Sequence, residues 1–316
     1  MTNVDVYYAI DIGATKTDLG LVDAKGNILQ RKVVDTPRDP NEAVDYLKKA
    51  LKEFVESQYG SYDSIKSKIK AIGVGAPNIK GGSNGGIFGT VVPFLPGWEN
   101  FNLRETLKTI GTPIGIENDS DAATIGAFLF DKNQVKMEKL PFMYLTVSSG
   151  VGGGILFSDS NQSWRLLRGL NDEHPEFGHM PFFTKSSGEQ DVECGCKMKN
   201  CLASYISGKS IEKRYGVKPE NASQKIKNEV AKNLGKALYI ISLHYGPRYI
   251  SLGGGVCNGW GIQFIDNVRK NMQAYYDNSK LMTPPELELC SLGNGAGLLG
   301  AAAVAIKAYK DSAKLQ

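Results

Sequence analysis

The sequence predicts an α/β protein of two domains, from three observations. Strand-like and helix-like stretches alternate along the chain. Two tight turns rich in glycine and hydroxyl residues, one following Asp11 and one following Ser148, each join two strand-like runs. The 316 residues, 41% of them hydrophobic, are enough for two cores.

Tyr7-Tyr8-Ala9-Ile10 reads as a strand running into Asp11-Ile12-Gly13-Ala14-Thr15-Lys16-Thr17. Asp18 to Val22 and Ile28 to Val34 complete a meander around a turn at Asp23-Ala24-Lys25-Gly26-Asn27. Small residues at the first corner let backbone N–H groups surround phosphate oxygens, which makes Gly13, Thr15 and Lys16 candidate nucleotide contacts. Asp11 suits a magnesium ion, held directly or through water. The same residues also make an ordinary hairpin. Pro40 opens a helix that Asp39 can cap, with Val44, Leu47, Leu51 and Phe54 at helical spacing, and its purpose is packing. Ile69 to Val74 is a strand ending at Gly75-Ala76-Pro77-Asn78. The glycine-rich connection from Gly81 to Gly89 leads to Phe94-Leu95-Pro96-Gly97-Trp98, and either folds over a ligand or makes a long hairpin turn.

Pro113 to Ile116 is a short buried strand, followed by Glu117-Asn118-Asp119-Ser120-Asp121 and a helix over Ala122 to Phe130. A carboxylate at the carboxyl end of a strand is where open α/β sheets place ligand contacts. Asn118 and Asp119 equally have the chemistry of a helix cap. Phe142 to Val147 and Gly153 to Phe157 flank a second candidate phosphate cradle, Ser148-Ser149-Gly150-Val151-Gly152. Two such turns fit a nucleotide lying across a two-domain cleft. Ala222 to Tyr245 is helical, and Tyr249 to Leu252 is a strand ending in Gly253-Gly254-Gly255-Val256. A base or ribose can lie against bare backbone at Gly254 and Gly255. Trp260 to Tyr276 is a helix, and Gly293 to Gly297 turns into a last helix over Leu298 to Ala308. The two headed turns hint at duplication of one domain plan.

Glu176-Phe177-Gly178-His179 precedes Cys194-Gly195-Cys196 and Cys201. One imidazole and three thiols match a closed, structural zinc site of His179, Cys194, Cys196 and Cys201, pinning the loop that carries Glu176. His174 and His244 lack any such setting and read as ordinary histidines. The odd cysteine count, the thiol cluster and an N-terminus without a charged start and apolar core point to a reduced cytoplasm. The net charge of +4 is interleaved along the chain and gives no support for nucleic-acid binding. No apolar run approaches a membrane span.

Taken together and in this order, the motifs resemble the ROK family (repressors, open reading frames and kinases) of sugar kinases over nearly the whole chain. Asp11 to Lys16 is similar to the family's first phosphate motif, Glu117-Asn118-Asp119 to its catalytic Glu-Asn-Asp, and Gly150 to Ile155 to its second phosphate motif. Glu176-x-Gly178-His179 with the three cysteines resembles its zinc signature. The resemblance implies a two-domain actin-like ATPase (ribonuclease H-like) fold with a central cleft. It implies a smaller N-terminal α/β domain over 1–121, completed by a C-terminal helix at 297–316, and a larger α/β domain over 122–296 carrying the zinc. It also implies ATP, Mg2+ and structural Zn2+ as cofactors, Asp119 as general base, and Asn78, Asn118, Glu176 and His179 as sugar contacts. Ser149, Gly150, Gly152, Gly254 and Gly255 would hold the nucleotide with the Asp11 turn. A homo-oligomer, dimer or tetramer, is expected.

The chain departs from the family at several positions. Lys197 and Asn200 replace two glycines of the zinc loop, Ala203 replaces a sugar-holding glutamate, and Phe94 replaces an asparagine. Ser148-Ser149 replaces Gly-Thr. The expected activity is ATP-dependent phosphorylation of a primary hydroxyl of a hexose, glucokinase-like. A sugar acid such as 2-keto-3-deoxygluconate or an N-acetylhexosamine is the alternative substrate. A sugar-responsive repressor is the remaining alternative, disfavoured because such proteins carry a DNA-binding domain before the Asp-x-Gly strand and few residues precede Tyr7.

Overall fold

The structure is a computed structural model and describes residues 5–60, 68–82, 85–90, 92, 95–133, 136–159, 163–182 and 191–314. Phe94 lies outside the described residues. In chain order the elements are β1 (Val6–Ile12), β2 (Lys16–Asp23), β3 (Ile28–Asp35), α1 (Pro40–Tyr59), β4 (Ile69–Ala76), α2 (Leu103–Leu107), β5 (Ile114–Asn118) and α3 (Asp119–Phe130). Then come β6 (Phe142–Val147), β7 (Val151–Ser158), β8 (Trp164–Leu166), α4 (Ala203–Ile206), α5 (Gly208–Tyr215), α6 (Gln224–Tyr245), β9 (Tyr249–Gly253), α7 (Gly254–Ser279), β10 (Glu286–Leu289) and α8 (Ala296–Ala313).

The chain forms two compact units: Met1–Phe130 with Arg168–His174 and Gly295–Gln316, and Asp131–Leu167 with Pro175–Asn294. Each holds a five-stranded sheet, in the orders β3-β2-β1-β4-β5 and β10-β9-β6-β7-β8. The strand plan is the same in both. A meander of three antiparallel strands is followed by two strands added parallel to the first.

In the first unit the meander turn is fixed by Asp23, whose carboxylate accepts the N–H groups of Lys25 and Asn27. Asp39 accepts the Asn41 N–H and Pro40 opens α1, which buries Val44, Leu47 and Leu51. The small-residue face of α8 allows close approach to the sheet, where a methyl group on Gly73 would collide with Ala301 and Ala305. Helix α3 packs on α8 with Gly126 against Gly300. The expected boundary at 121 therefore moves. The small-residue stripes of α3 and α8 bury each other, so α3 belongs with the first unit.

In the second unit β6 and β9 are almost wholly buried, and Met143, Leu145, Leu234, Leu252 and Ile265 share one core. The helix expected from Trp260 begins at Gly254 and is broken at Gly261 (φ 68°, ψ −164°), so the Gly253 to Val256 stretch is a strand end and a first helical turn. Among the described residues no helix is long and apolar enough to cross a membrane.

Candidate active site

The carboxyl ends of three neighbouring strands bring the first unit's polar residues together. Asp11 on β1 stands beside Gly75 on β4, which stands beside Glu117 on β5. Gly75 leaves room there. A Cβ at that position would sit 3.7 Å from the Asp119 Cα and 3.8 Å from Asp11 Oδ1. On its other side the Asp11 carboxylate lies against Gly297 in the first turn of α8, where any side chain would collide with it. Burial, then the nearby charges of Asp119 and Asp18, push Asp11 up to about 7 against the opposing pull of Arg31. Arg31 is itself bound to both oxygens of Asp18, which faces Asp11 across the β1–β2 pair.

Asp119 opens α3. Its Oδ1 accepts the Ser120 N–H at 2.7 Å, and Asn118 Oδ1 accepts the same N–H at 2.9 Å. Asn118, just before the helix, makes the capping bond, and Asp119 stands as the first residue of α3 at the strand–helix junction. Glu117 and Asp121 flank this residue, and both are taken up by Arg168, whose Nη2 binds Glu117 and whose Nη1 binds Asp121. Burial pushes Glu117 up to about 7 despite the guanidinium, and it raises Asp121 as well. Sequence reasoning missed Arg168. Its segment, 168–174, sits far along the chain from β5 and rejoins the first unit. His174, read as ordinary, lies in that segment and acts electrostatically on Asp121. His244 is exposed near the end of α6, with Nδ1 against the Ile240 carbonyl.

The Asp11 turn is tighter than a simple open cradle. The Gly13 N–H donates to the Lys16 carbonyl at 2.9 Å and the Gly13 carbonyl accepts from Thr36 Oγ1 at 2.8 Å. The Thr15 carbonyl accepts the Thr36 N–H, and Lys16 is exposed and paired with Asp35. Asn78 follows β4 in the left-handed region (φ 55°), with its carbonyl accepting the Gly89 N–H. The glycine-rich connection is pinned in its described part. Arg104 donates to the Gly82, Gly85 and Ile114 carbonyls, and Phe88 is buried against Trp98.

In the second unit two distant glycine stretches converge. The Ser148 N–H donates to the Gly150 carbonyl at 2.8 Å, closing the turn. Gly254 (φ 88°) packs against Thr146 and Val147, and a Cβ at Gly255 would lie 3.6 Å from Ser148 Oγ. Gly254 must be glycine for its φ and for that contact. Ser149 and Gly150 are exposed, and a Cβ at Gly150 would meet nothing within 4 Å, while Gly152 pairs with Thr146 inside the sheet.

His179, Cys194, Cys196 and Cys201 place their ligand atoms within 4.8 Å of one another. His179 Nδ1 lies 3.5 Å from Cys194 Sγ, and its Nε2 lies 3.9 Å from Glu176 Oε2. Burial, then the neighbouring Cys196, push the Cys201 thiol up to about 12, so a thiolate there needs a cation. One imidazole and three thiols fit zinc. Lys197 (φ 71°) and Asn200 (φ 58°) both occupy the left-handed region, which explains why glycine suits those two positions. Asn200 compensates through its side chain, accepting from the Val192 N–H and the Tyr205 hydroxyl and donating to Asp191. Ala203 is buried at the start of α4.

The profile of the ROK family matches residues 7–308. Over 332 aligned residues the chain is 26% identical to a glucokinase of Streptomyces coelicolor, covering 94% of this chain and 96% of that protein. It is 24% identical to an N-acetyl-D-glucosamine kinase of Vibrio cholerae, covering 96% of this chain and all of that one. Its structure is similar to that of a ROK family glucokinase from Streptomyces griseus in complex with glucose and AMPPNP, with a TM-score of 0.73, 25% identity, and 96% and 99% of the two chains covered. The fold is that of the actin-like ATPases.

Proposed function

This chain belongs to the ROK family, and we propose that it is an ATP-dependent sugar kinase that phosphorylates a primary hydroxyl of a monosaccharide, a hexose first. The observation that carries this reading is the Asp119 carboxyl, fixed at the β5–α3 junction beside Asp11. Phosphoryl transfer needs alignment and charge neutralisation more than covalent help. Asp119 accepts the proton of the attacking hydroxyl. Asn78, Asn118, Glu176 and His179 hold the sugar. The Ser148–Gly150 turn with Gly254 and Gly255 holds the nucleotide, together with the backbone of the turn after Asp11.

Magnesium bound with the nucleotide supplies positive charge at the phosphates, and Asp11 is the residue that would hold it. Zinc bound by His179 and the three cysteines supplies a cross-link. His179 would then use Nδ1 for the metal and direct Nε2 toward Glu176 and the sugar. A cytoplasmic location and a dimer or tetramer belong to the same reading. The relatives support both glucose and an N-acetylhexosamine as acceptors. The buried Ala203, which puts no carboxylate near a substrate carboxylate, keeps a sugar acid open as a second acceptor class. A coupled ADP-release assay across hexoses, N-acetylhexosamines and sugar acids tests the reading. Sugar-dependent release with at least one class is expected, and release with none would end it.

A further inference from the structure

The Arg168 guanidinium spans the β5–α3 junction like a bracket. Glu117 precedes Asp119 by two residues and Asp121 follows it by two, and each nitrogen of the fork takes one of them. Glu117 ends its exposure at 6% and Asp121 at 0%. Asp121 Oδ1 is buried without a hydrogen-bond partner among the described residues, so Asp121 is held there through Oδ2 and Arg168. Gly81 lies close by and has to be small, because a Cβ there would collide with the Glu117 carboxylate and crowd Arg168.

We propose that Arg168 is the positioning residue for the general base, fixing the junction so that the Asp119 carboxyl meets the sugar hydroxyl in line. The proposal rests on the kinase reading above. Two flanking carboxylates would repel each other and Asp119, and a single planar fork with two parallel donors holds them apart at fixed angles. A misplacement of about 1 Å at a base costs roughly 100-fold in rate.

A kinetic cycle tests this. Arg168→Lys keeps the charge and loses the fork. It is expected to lower kcat by about 10–100-fold with the KM for ATP unchanged. In an Asp119→Asn background the same change should cost less than about threefold, because Arg168 acts through Asp119 and groups acting as a unit are non-additive. If the lysine variant does not fold, Glu117→Gln/Arg168→Gln removes one charge of each sign and replaces it in the cycle. Equal losses in the two backgrounds, or a lysine variant with wild-type kcat and only a lowered melting temperature, would overturn the positioning role alone. Wild-type enzyme releasing no ADP with any sugar would overturn the kinase reading and this role with it.

Discussion

Asp11→Asn should make the ligand-free protein more stable at pH 8 while disabling it. The Asp11 carboxyl is enclosed by Gly75, Gly297 and Asp119, and burial raises it from 3.8 to about 7. Below 3.8 the folded and unfolded chains both hold the proton. Between 3.8 and about 7 only the folded chain does, so stability falls as pH rises through that window and levels off above it. At about 1.4 kcal/mol per unit the ceiling is about 4 kcal/mol. The start of α8 favours the charged form by about 1 kcal/mol, and local relaxation takes a further share, leaving about 1–3 kcal/mol. For units of this size that corresponds to a melting temperature higher by about 3–10 °C at pH 8, with almost no difference at pH 4. Thermal unfolding without magnesium or nucleotide reads this directly. Turnover with ATP should meanwhile fall by about 100-fold, as expected when the residue that would hold the charge-neutralising magnesium is lost. A variant that melts lower at pH 8, or one whose shift is the same at both pH values, would refute the reasoning.

On the proposed reading purified protein should carry about one zinc per chain at His179 and the three cysteines, and chelation should raise the KM for sugar before that for ATP, as expected of a metal that would hold the Glu176 loop. Elemental analysis and paired kinetics check this, and active protein without zinc contradicts it. Lys197→Gly and Asn200→Gly should move stability in opposite directions although both sites are left-handed. Relief of strain raises it by about 0.5–1 kcal/mol at Lys197, whereas loss of the buried side-chain bonds lowers it by about 1–3 kcal/mol at Asn200. Ala203→Glu should shift kcat/KM from sugar acids toward glucose by about tenfold, the scale of one charged hydrogen bond. An unchanged order of preference would mean that position 203 does not read the substrate.

The sheets and the clustering of His179 with the three cysteines were legible because their signals are local. Short, nearly continuous apolar runs mark β1, β6 and β9, and the thiol spacing after His179 marks the His–Cys cluster. The Asp119 position was legible as a strand–helix junction, though its capping and chemical roles could not be separated there, and in the structure the capping bond is made by Asn118. What escaped the sequence is long-range. Arg168 meets Glu117 across 51 positions, and the α3–α8 contact that moves the boundary to Phe130 depends on glycines far apart in the chain. The early start of α7 escaped because three glycines disfavour a helix on their own, and packing of Gly254 and Gly255 on the Ser148 turn overrides that preference. Lys16, read as a phosphate contact, is exposed and pairs with Asp35 across the β2–β3 pair.

The most direct test of the account is the turnover of Asp119→Asn, measured as sugar-dependent ADP release against wild type at saturating ATP and sugar. Loss of the general base predicts a kcat lower by roughly two to four orders of magnitude, with the KM for ATP within about threefold of wild type. A variant keeping more than about a tenth of the wild-type kcat would contradict it, and would leave Asp119 as no more than the first residue of α3.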